Sequence, residues 1–337
     1  MAYVGIDVHR RRSQIAVMDE GGRTAVNRNV LNGRENVLAV IGDLPAGTPV
    51  AFEAAFGWGW LLELLQDYGF EPHMAHPLQC KAIASARLKN DKIDAATLAH
   101  LLRSDLLPEA WIAPRAVREQ RAALRHRAQL VRLRTLLRNR IHGVLAQYGC
   151  DRPSGCWSAP GRAWLSELPL PSASRHIVTD LLESIDALQH IIDRADALLA
   201  ESATSDPRVK ALTQLPGVGP LTAMTIVAEV GDISRFSSAR KLASWAGLTP
   251  TVRGSDRTVR YGHISKQGDP WLRWITNQAA QTAKRSPQFA AHYQQVACRR
   301  GKKIATVAIA RKLLTHAYYL LREAQAAQAS KEAGGPA

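Results

Sequence analysis

The chain has 337 residues, 46% of them apolar and 22% charged, the balance of a water-soluble globular protein with room for two or three domains. Its 44 lysines and arginines outnumber 29 aspartates and glutamates, and a net charge of +15 points to a polyanionic partner, nucleic acid before a membrane surface. No run approaches the roughly 20 apolar residues that span a bilayer, the N-terminus shows no signal-peptide pattern, and the four cysteines lack CxxC spacing, so the expectation is a cytoplasmic protein with reduced thiols and no membrane partner.

At the start, AYVGIDVH, SQIAVMDE and TAVNRNV read as three short strands, with Glu20-Gly21-Gly22 the clearest turn between them. ENVLAVIGDL has helical spacing, PVAFEA reads as a buried strand, WLLELLQDYG as a helix closed by Gly69, and PHMAHP as another strand. DKIDAATLAHLLRSD carries Ile93, Leu98, Leu101 and Leu102 on one stripe and predicts an amphipathic helix. The order βββαβαβα predicts a mixed α/β sheet flanked by helices over residues 1–113.

Past Pro114 the character changes. A segment free of proline and glycine until Gly143 carries Arg115, Arg118, Arg121, Arg125, Arg127, Arg132, Arg134, Arg138 and Arg140 beside an apolar stripe. Only Glu119 offsets that charge, so intrahelical pairs cannot neutralise it; a helix facing nucleic acid is predicted, with Arg121, Arg125 and Arg132 among its contacts. Residues 151–173 read as a turn-rich connector. Residues 174–203 read as a coiled-coil-like arm long enough for dimerisation, although packing within the chain explains the stripe equally well. These pieces make up 114–204.

A mainly helical domain is expected over 205–325, built from LTQLPGVGPLTAMTIVAEVGD, SSARKLASWAGLTP, DPWLRWITNQAAQTAKRS and KKIATVAIARKLLTHAYYLLREAQ, with a disordered tail at 326–337. PGVG resembles a helix-hairpin-helix turn, in which backbone amides at Gly217 and Gly219 contact a DNA phosphate; a tight helix connection accounts for it equally. Trp245, Trp271 and Trp274 are expected to pack this domain.

Four acids stand out. Asp7 lies in a strand between Ile6 and Val8, where a buried carboxylate is costly unless it meets a cation or hydrogen-bond donors. Glu53 follows the apolar strand Val50-Ala51-Phe52. Asp91 and Asp94, three apart, share a helix face, and Asp91 also stands where a helix N-terminus favours a carboxylate anyway. Two strand-borne and two helix-borne carboxylates suit a pair of divalent ions roughly 4 Å apart, as used in phosphoryl transfer. Oxygen-only donors point to Mg²⁺ or Mn²⁺ rather than zinc.

GIDVH, FEA and NDKIDA resemble the three acidic motifs of the DEDD-type bacterial insertion-sequence transposases, a bridge-RNA-guided, serine-using recombinase family. LPGVGPLTAMTIVAEVGDISRF, ASWAGLTPTVRGS and HISKQGDPWLRW are similar to that family's second domain, so the resemblance covers nearly the whole chain in order. It implies a RuvC-like, RNase H-like N-terminal domain, a metal-binding catalytic tetrad at Asp7, Glu53, Asp91 and Asp94, and a serine, here Ser255, that links covalently to DNA. It also implies a non-coding bridge RNA pairing with donor and target DNA, and homodimers that assemble into tetramers, one subunit's RuvC-like domain meeting another's second domain. Asp256 follows Ser255 where relatives often have glycine, which leaves Ser265 as the fallback nucleophile. Arg253 and Lys266, with Arg257 and Arg260, are expected to hold phosphate oxygens. The expected function is Mg²⁺-dependent DNA strand cleavage and exchange by a transposase. A junction-resolving nuclease using the metals alone and a non-catalytic nucleic-acid-binding protein are the alternatives.

Overall fold

A computed structural model describes residues 1–54, 57–83, 91–150, 154–255 and 258–333, without the side chains of 81–83, 91, 255 and 331–333. The chain forms two compact units, Met1–Ala113 and Pro114–Ala337.

The first unit runs β1 (Tyr3–Val8), β2 (Arg12–Met18), β3 (Thr24–Leu31), α1 (Arg34–Ile41), β4 (Pro49–Glu53), α2 (Gly59–Asp67), β5 (Glu71–Ala75), α3 (Pro77–Ile83) and α4 (Asp91–Arg103). Apart from α3, this is the expected order. The sheet is arranged β3-β2-β1-β4-β5, with β1 antiparallel to β2 and parallel to β4, an RNase H-like α/β arrangement. Strand alternation sorts the side chains between two faces. Ile6, Val8, Ile15, Val17, Val50, Phe52 and Met74 form one core with Val37 and Ile41 of α1 and Leu61, Leu62 and Leu65 of α2. Ala51 and Ala75 turn the other way, beneath Leu98 and Leu101 of α4.

The second unit runs α5 (Arg115–Ala146), α6 (Ala159–Glu167), α7 (Ser172–Ser205), α8 (Pro207–Leu212), α9 (Pro220–Val230), a 3-10 turn (Ile233–Arg235), α10 (Ala239–Trp245), β6 (Pro250–Ser255), β7 (Thr258–Ile264), α11 (Pro270–Ala283), α12 (Pro287–Arg300) and α13 (Lys302–Ala333). The apolar stripe of α7 is spent inside the chain: Val178 and Ile185 pack with Ile141, Val144 and Leu145 of α5 and with Leu165 of α6. Leu124 of α5 and Leu199 and Ala203 of α7 join α8–α13 in one continuous core. At its centre lies α9, buried from Ala223 to Val230.

Three features depart from expectation. The supposed connector holds α6, started by Ser158, whose hydroxyl accepts from Gly161 N. The domain expected to be mainly helical also holds a hairpin, β6 antiparallel to β7, with β-branched Thr and Val recurring along both strands. Helix α13 continues to Ala333 through most of the expected disordered tail, where alanine, glutamine, lysine and glutamate are good helix formers. Among the described residues, no helix is long and apolar enough to cross a membrane.

Candidate active site

The two strand-borne acids meet as neighbours. The parallel register pairs Ile6 with Phe52, so Asp7 and Glu53 are the next residues along adjacent strands. Gly5 lies directly beneath α4, and Ala51 faces the same helix. A period of two therefore turns Asp7 and Glu53 toward that face as well. Asp7 is only 7% exposed and Glu53 is half-buried. Asp7 Oδ2 stands 3.1 Å from His9 Nε2. Cys80 of α3 is also close: burial pushes its thiol pKa up, and the Glu53 charge adds to the rise.

Helix α4 lies over this face with Asp94 half-buried in its first turn. Asp91 begins the helix, and its side chain lies outside the described residues. Among the described residues, no three His, Cys, Asp or Glu side chains stand close enough to hold a metal. The structure thus brings Asp7 and Glu53 side by side and leaves Asp94 outside any closed donor set. Paired carboxylate oxygens on one covered face are nonetheless the donor chemistry a hard divalent cation takes, and the residues present fit that role.

A polar network beside the acids had no counterpart in the sequence reading. Gln14 on β2 stands opposite Asp7, and Asn29 on β3 stands opposite Gln14. Asn29 Nδ2 donates to Gln14 Oε1 at 3.1 Å, and Gln14 Nε2 donates to Asn27 Oδ1 at 2.5 Å. Asn27 Nδ2 in turn donates to the Lys92 carbonyl at 3.1 Å. Gln14 itself is 2% exposed. The available signal was alternation, since Gln14 and Ala16 share the face of Gly5 and Asp7.

In the second unit the arginine helix is largely turned inward, which corrects the expectation for Arg121 and Arg125. Arg121 donates to the Ala228 and Glu229 carbonyls at 2.7 and 2.9 Å, closing the C-terminal end of α9. Arg125 forks onto both Glu229 carboxylate oxygens at 3.0 and 2.8 Å and lies over the Trp271 ring. Arg127 forks onto Asp196 of α7, and Arg138 lies over Trp157. The neutralising partners sit on other helices, which helical spacing within α5 could not reveal. Burial pushes the Glu229 carboxyl up to about 6; the Arg125 hydrogen bond opposes this and the Asp269 charge reinforces it. Arg132 remains exposed on α5.

The turn glycines divide. Gly217, at φ 76°, has no room for a side chain, since a Cβ would lie 2.5 Å from the Ala279 carbonyl. This close approach packs the turn against α11. Gly219 is exposed before the first turn of α9, with open space around it. Ser255 ends β6 opposite Thr258, and its side chain lies outside the described residues. Arg253 and Arg260 face each other across the hairpin, both exposed. The Ser265–Lys266 turn is pinned by Ser265 N to Thr249 O at 2.9 Å and by Lys266 N to Gly247 O at 3.2 Å, with the Lys266 side chain exposed.

An RNase H-like sheet with paired acids at the ends of two neighbouring strands is the arrangement of a phosphoryl-transfer enzyme. A family profile for a DEDD transposase of the IS110 type matches residues 4–150, and one described as the transposase IS116/IS110/IS902 family matches residues 209–294. The chain is 26% identical over 330 residues to a "Probable family 20 transposase" of Pseudomonas aeruginosa, covering 93% of this chain and 94% of that one. It is 27% identical over 329 residues to the transposase for insertion sequence element IS1111A of Coxiella burnetii, covering 92% and 86%. The chain belongs to the IS110/IS116 family of DEDD transposases and is a DNA transposase, a domain type that implies divalent-metal use.

Proposed function

We propose that the protein cuts and exchanges donor and target DNA strands by combining the acidic face of its first unit with a serine of its second. The observation that carries this reading is the pairing of buried Asp7 with Glu53 beneath the helix that bears Asp91 and Asp94. Asp7, Glu53, Asp91 and Asp94 would hold Mg²⁺ or Mn²⁺, which when bound supplies charge neutralisation at the reacting phosphate. Ser255 attacks phosphorus, a serine–phosphate ester forms, the phosphorus–oxygen bond to one DNA end breaks, and the serine proton ends on the released DNA hydroxyl. Arg253 and Lys266, both exposed close to Ser255 in sequence, hold phosphate oxygens. The active unit is a dimer that assembles into a tetramer, so the two halves of the chemistry come from different subunits.

Sequence choice is assigned to a paired guide RNA. With Arg121 and Arg125 committed to Glu229, the exposed basic groups that remain, such as Arg132, Arg253 and Lys266, suit backbone contacts that carry no sequence information. The test is recombination of two DNA sites by purified protein with the element's own RNA and Mg²⁺. Ser255→Ala and Asp7→Asn are each expected to abolish exchange, and wild type should leave a protein–DNA adduct on denaturing gels. Hydrolysed ends without an adduct, together with an active Ser255→Ala, would instead identify a nuclease that works through metals alone.

A further inference from the structure

The amides beside Asp7 form a chain that ends on the acidic helix. Asn29 donates to Gln14, Gln14 to Asn27, and Asn27 to the carbonyl of Lys92. Lys92 stands between Asp91 and Asp94, so the last bond holds the turn that carries both helix-borne acids. Within the chain, Gln14 is the cross-strand partner of Asp7. Gln14 is fully enclosed and its amide is oriented at both ends: the oxygen accepts from Asn29, which leaves the nitrogen to donate to Asn27.

We infer that Asn27, acting through the Lys92 carbonyl, is a positioning residue that sets the spacing between the strand-borne and helix-borne carboxylates. Two geometric facts lead there. Packing at Gly5 fixes how closely the middle of α4 approaches the sheet, because the Ala95 carbonyl and Ala99 amide leave no space there. Such a contact restrains height but not rotation or sliding of the first turn about that point. The bond from Asn27 lies three residues N-terminal to Ala95 and on a different strand, so it supplies the second restraint that a rigid helix needs. It uses a side-chain donor and a backbone acceptor, which places the α4 main chain itself and leaves the acidic side chains to the cation. Outer partners of this kind orient donors without touching the ion.

This inference rests on the metal-site reading above, and the measurement separates the two. Full-length protein is titrated with Mn²⁺, free ion being followed by its electron paramagnetic resonance signal, alongside thermal melting of each variant. Asn27 is exposed on the sheet's edge strand, so Asn27→Ala should keep the wild-type melting temperature to within a few degrees. It should nevertheless bind Mn²⁺ about tenfold more weakly. Thr24→Ala, on the same strand but outside the amide chain, should bind as wild type. Mn²⁺ affinity that Asp7→Asn abolishes but Asn27→Ala leaves unchanged overturns the positioning role alone. Wild-type protein that takes up no Mn²⁺ overturns the metal site and this inference with it. Equal weakening in Thr24→Ala and Asn27→Ala also overturns the inference, because the effect would then belong to the strand.

Discussion

Gly5 on β1 and Ala95 on α4 meet backbone to backbone: a Cβ on Gly5 would fall 2.1 Å from the Ala95 carbonyl oxygen. The GID tripeptide therefore does two things with neighbouring positions. Gly5 lets the acidic helix settle on the sheet, and Asp7, two residues on, presents a carboxylate beneath it. Gly5→Ala must lift or tilt α4, an overpacking that costs about 1–3 kcal/mol or more. We expect a lower melting temperature and at least a tenfold loss of strand cleavage, with DNA affinity largely retained. Wild-type melting and cleavage in this variant would show that the helix is not seated as described.

Much of this site was legible because its parts obey short periods. Alternation along GIDVH and PVAFE places Asp7 and Glu53 on one face, and both sit where their strands end. The role of Gly5 was less visible, since a glycine in a strand does not announce which helix will cross it. The amide chain was invisible for a related reason: Asn27 and Lys92 are 65 residues apart, and no local pattern links them. The hairpin had no place in the helical reading because glycine, serine, aspartate and arginine outweighed the flanking Thr-Val pairs.

Arg125 and Arg132 looked alike in the sequence and should now behave differently. Arg125→Ala leaves the buried Glu229 carboxylate with Arg121 Nε at 3.4 Å and without its fork. Because Arg125 is itself 40% exposed, a modest loss of about 2 kcal/mol is expected rather than the full value of a buried pair. Arg132→Ala should leave stability unchanged and weaken DNA binding. Urea denaturation and filter binding across a salt series distinguish them. The assignment fails if Arg132→Ala is the destabilised variant.

Glu229 also gives the second unit a pH signature. Its folded-state pKa of about 6 lies above the usual carboxylate value of 4.5, so the folded chain holds this proton more tightly than the unfolded chain does. The stabilisation is fully present below about 4.5 and is lost as pH rises through about 6, on the order of 2 kcal/mol in all. Other carboxylates slope the opposite way. Hydrogen bonding to Arg162 and to Ser234 holds Asp186 and Asp232, respectively, below the usual range. The comparison is therefore between wild type and Glu229→Gln, melted at half-unit steps from pH 4 to 7.5. The difference between the two curves should change across the 4.5–6 window and stay flat above 6.5. A constant difference over the whole range would show that Glu229 titrates normally.

The hairpin carries a charge arrangement that makes little sense in the free protein. Arg253 and Arg260 are direct cross-strand partners and both are exposed, and like charges opposed in this way destabilise a two-stranded ribbon. Ser255 and Thr258 form the pair two positions nearer the turn. A phosphate bound between the two guanidinium groups would relieve the repulsion. Arg260→Ala should therefore weaken DNA binding and lower the slope of log affinity against log salt by about one unit, the signature of one lost phosphate contact. The free protein should melt no lower than wild type, because a repulsive pair has been removed. Arg260→Lys keeps the charge but not the fork, so it should restore the salt slope more fully than the cleavage rate. An unchanged salt slope in Arg260→Ala would mean that the arginine face of the hairpin does not meet the DNA backbone.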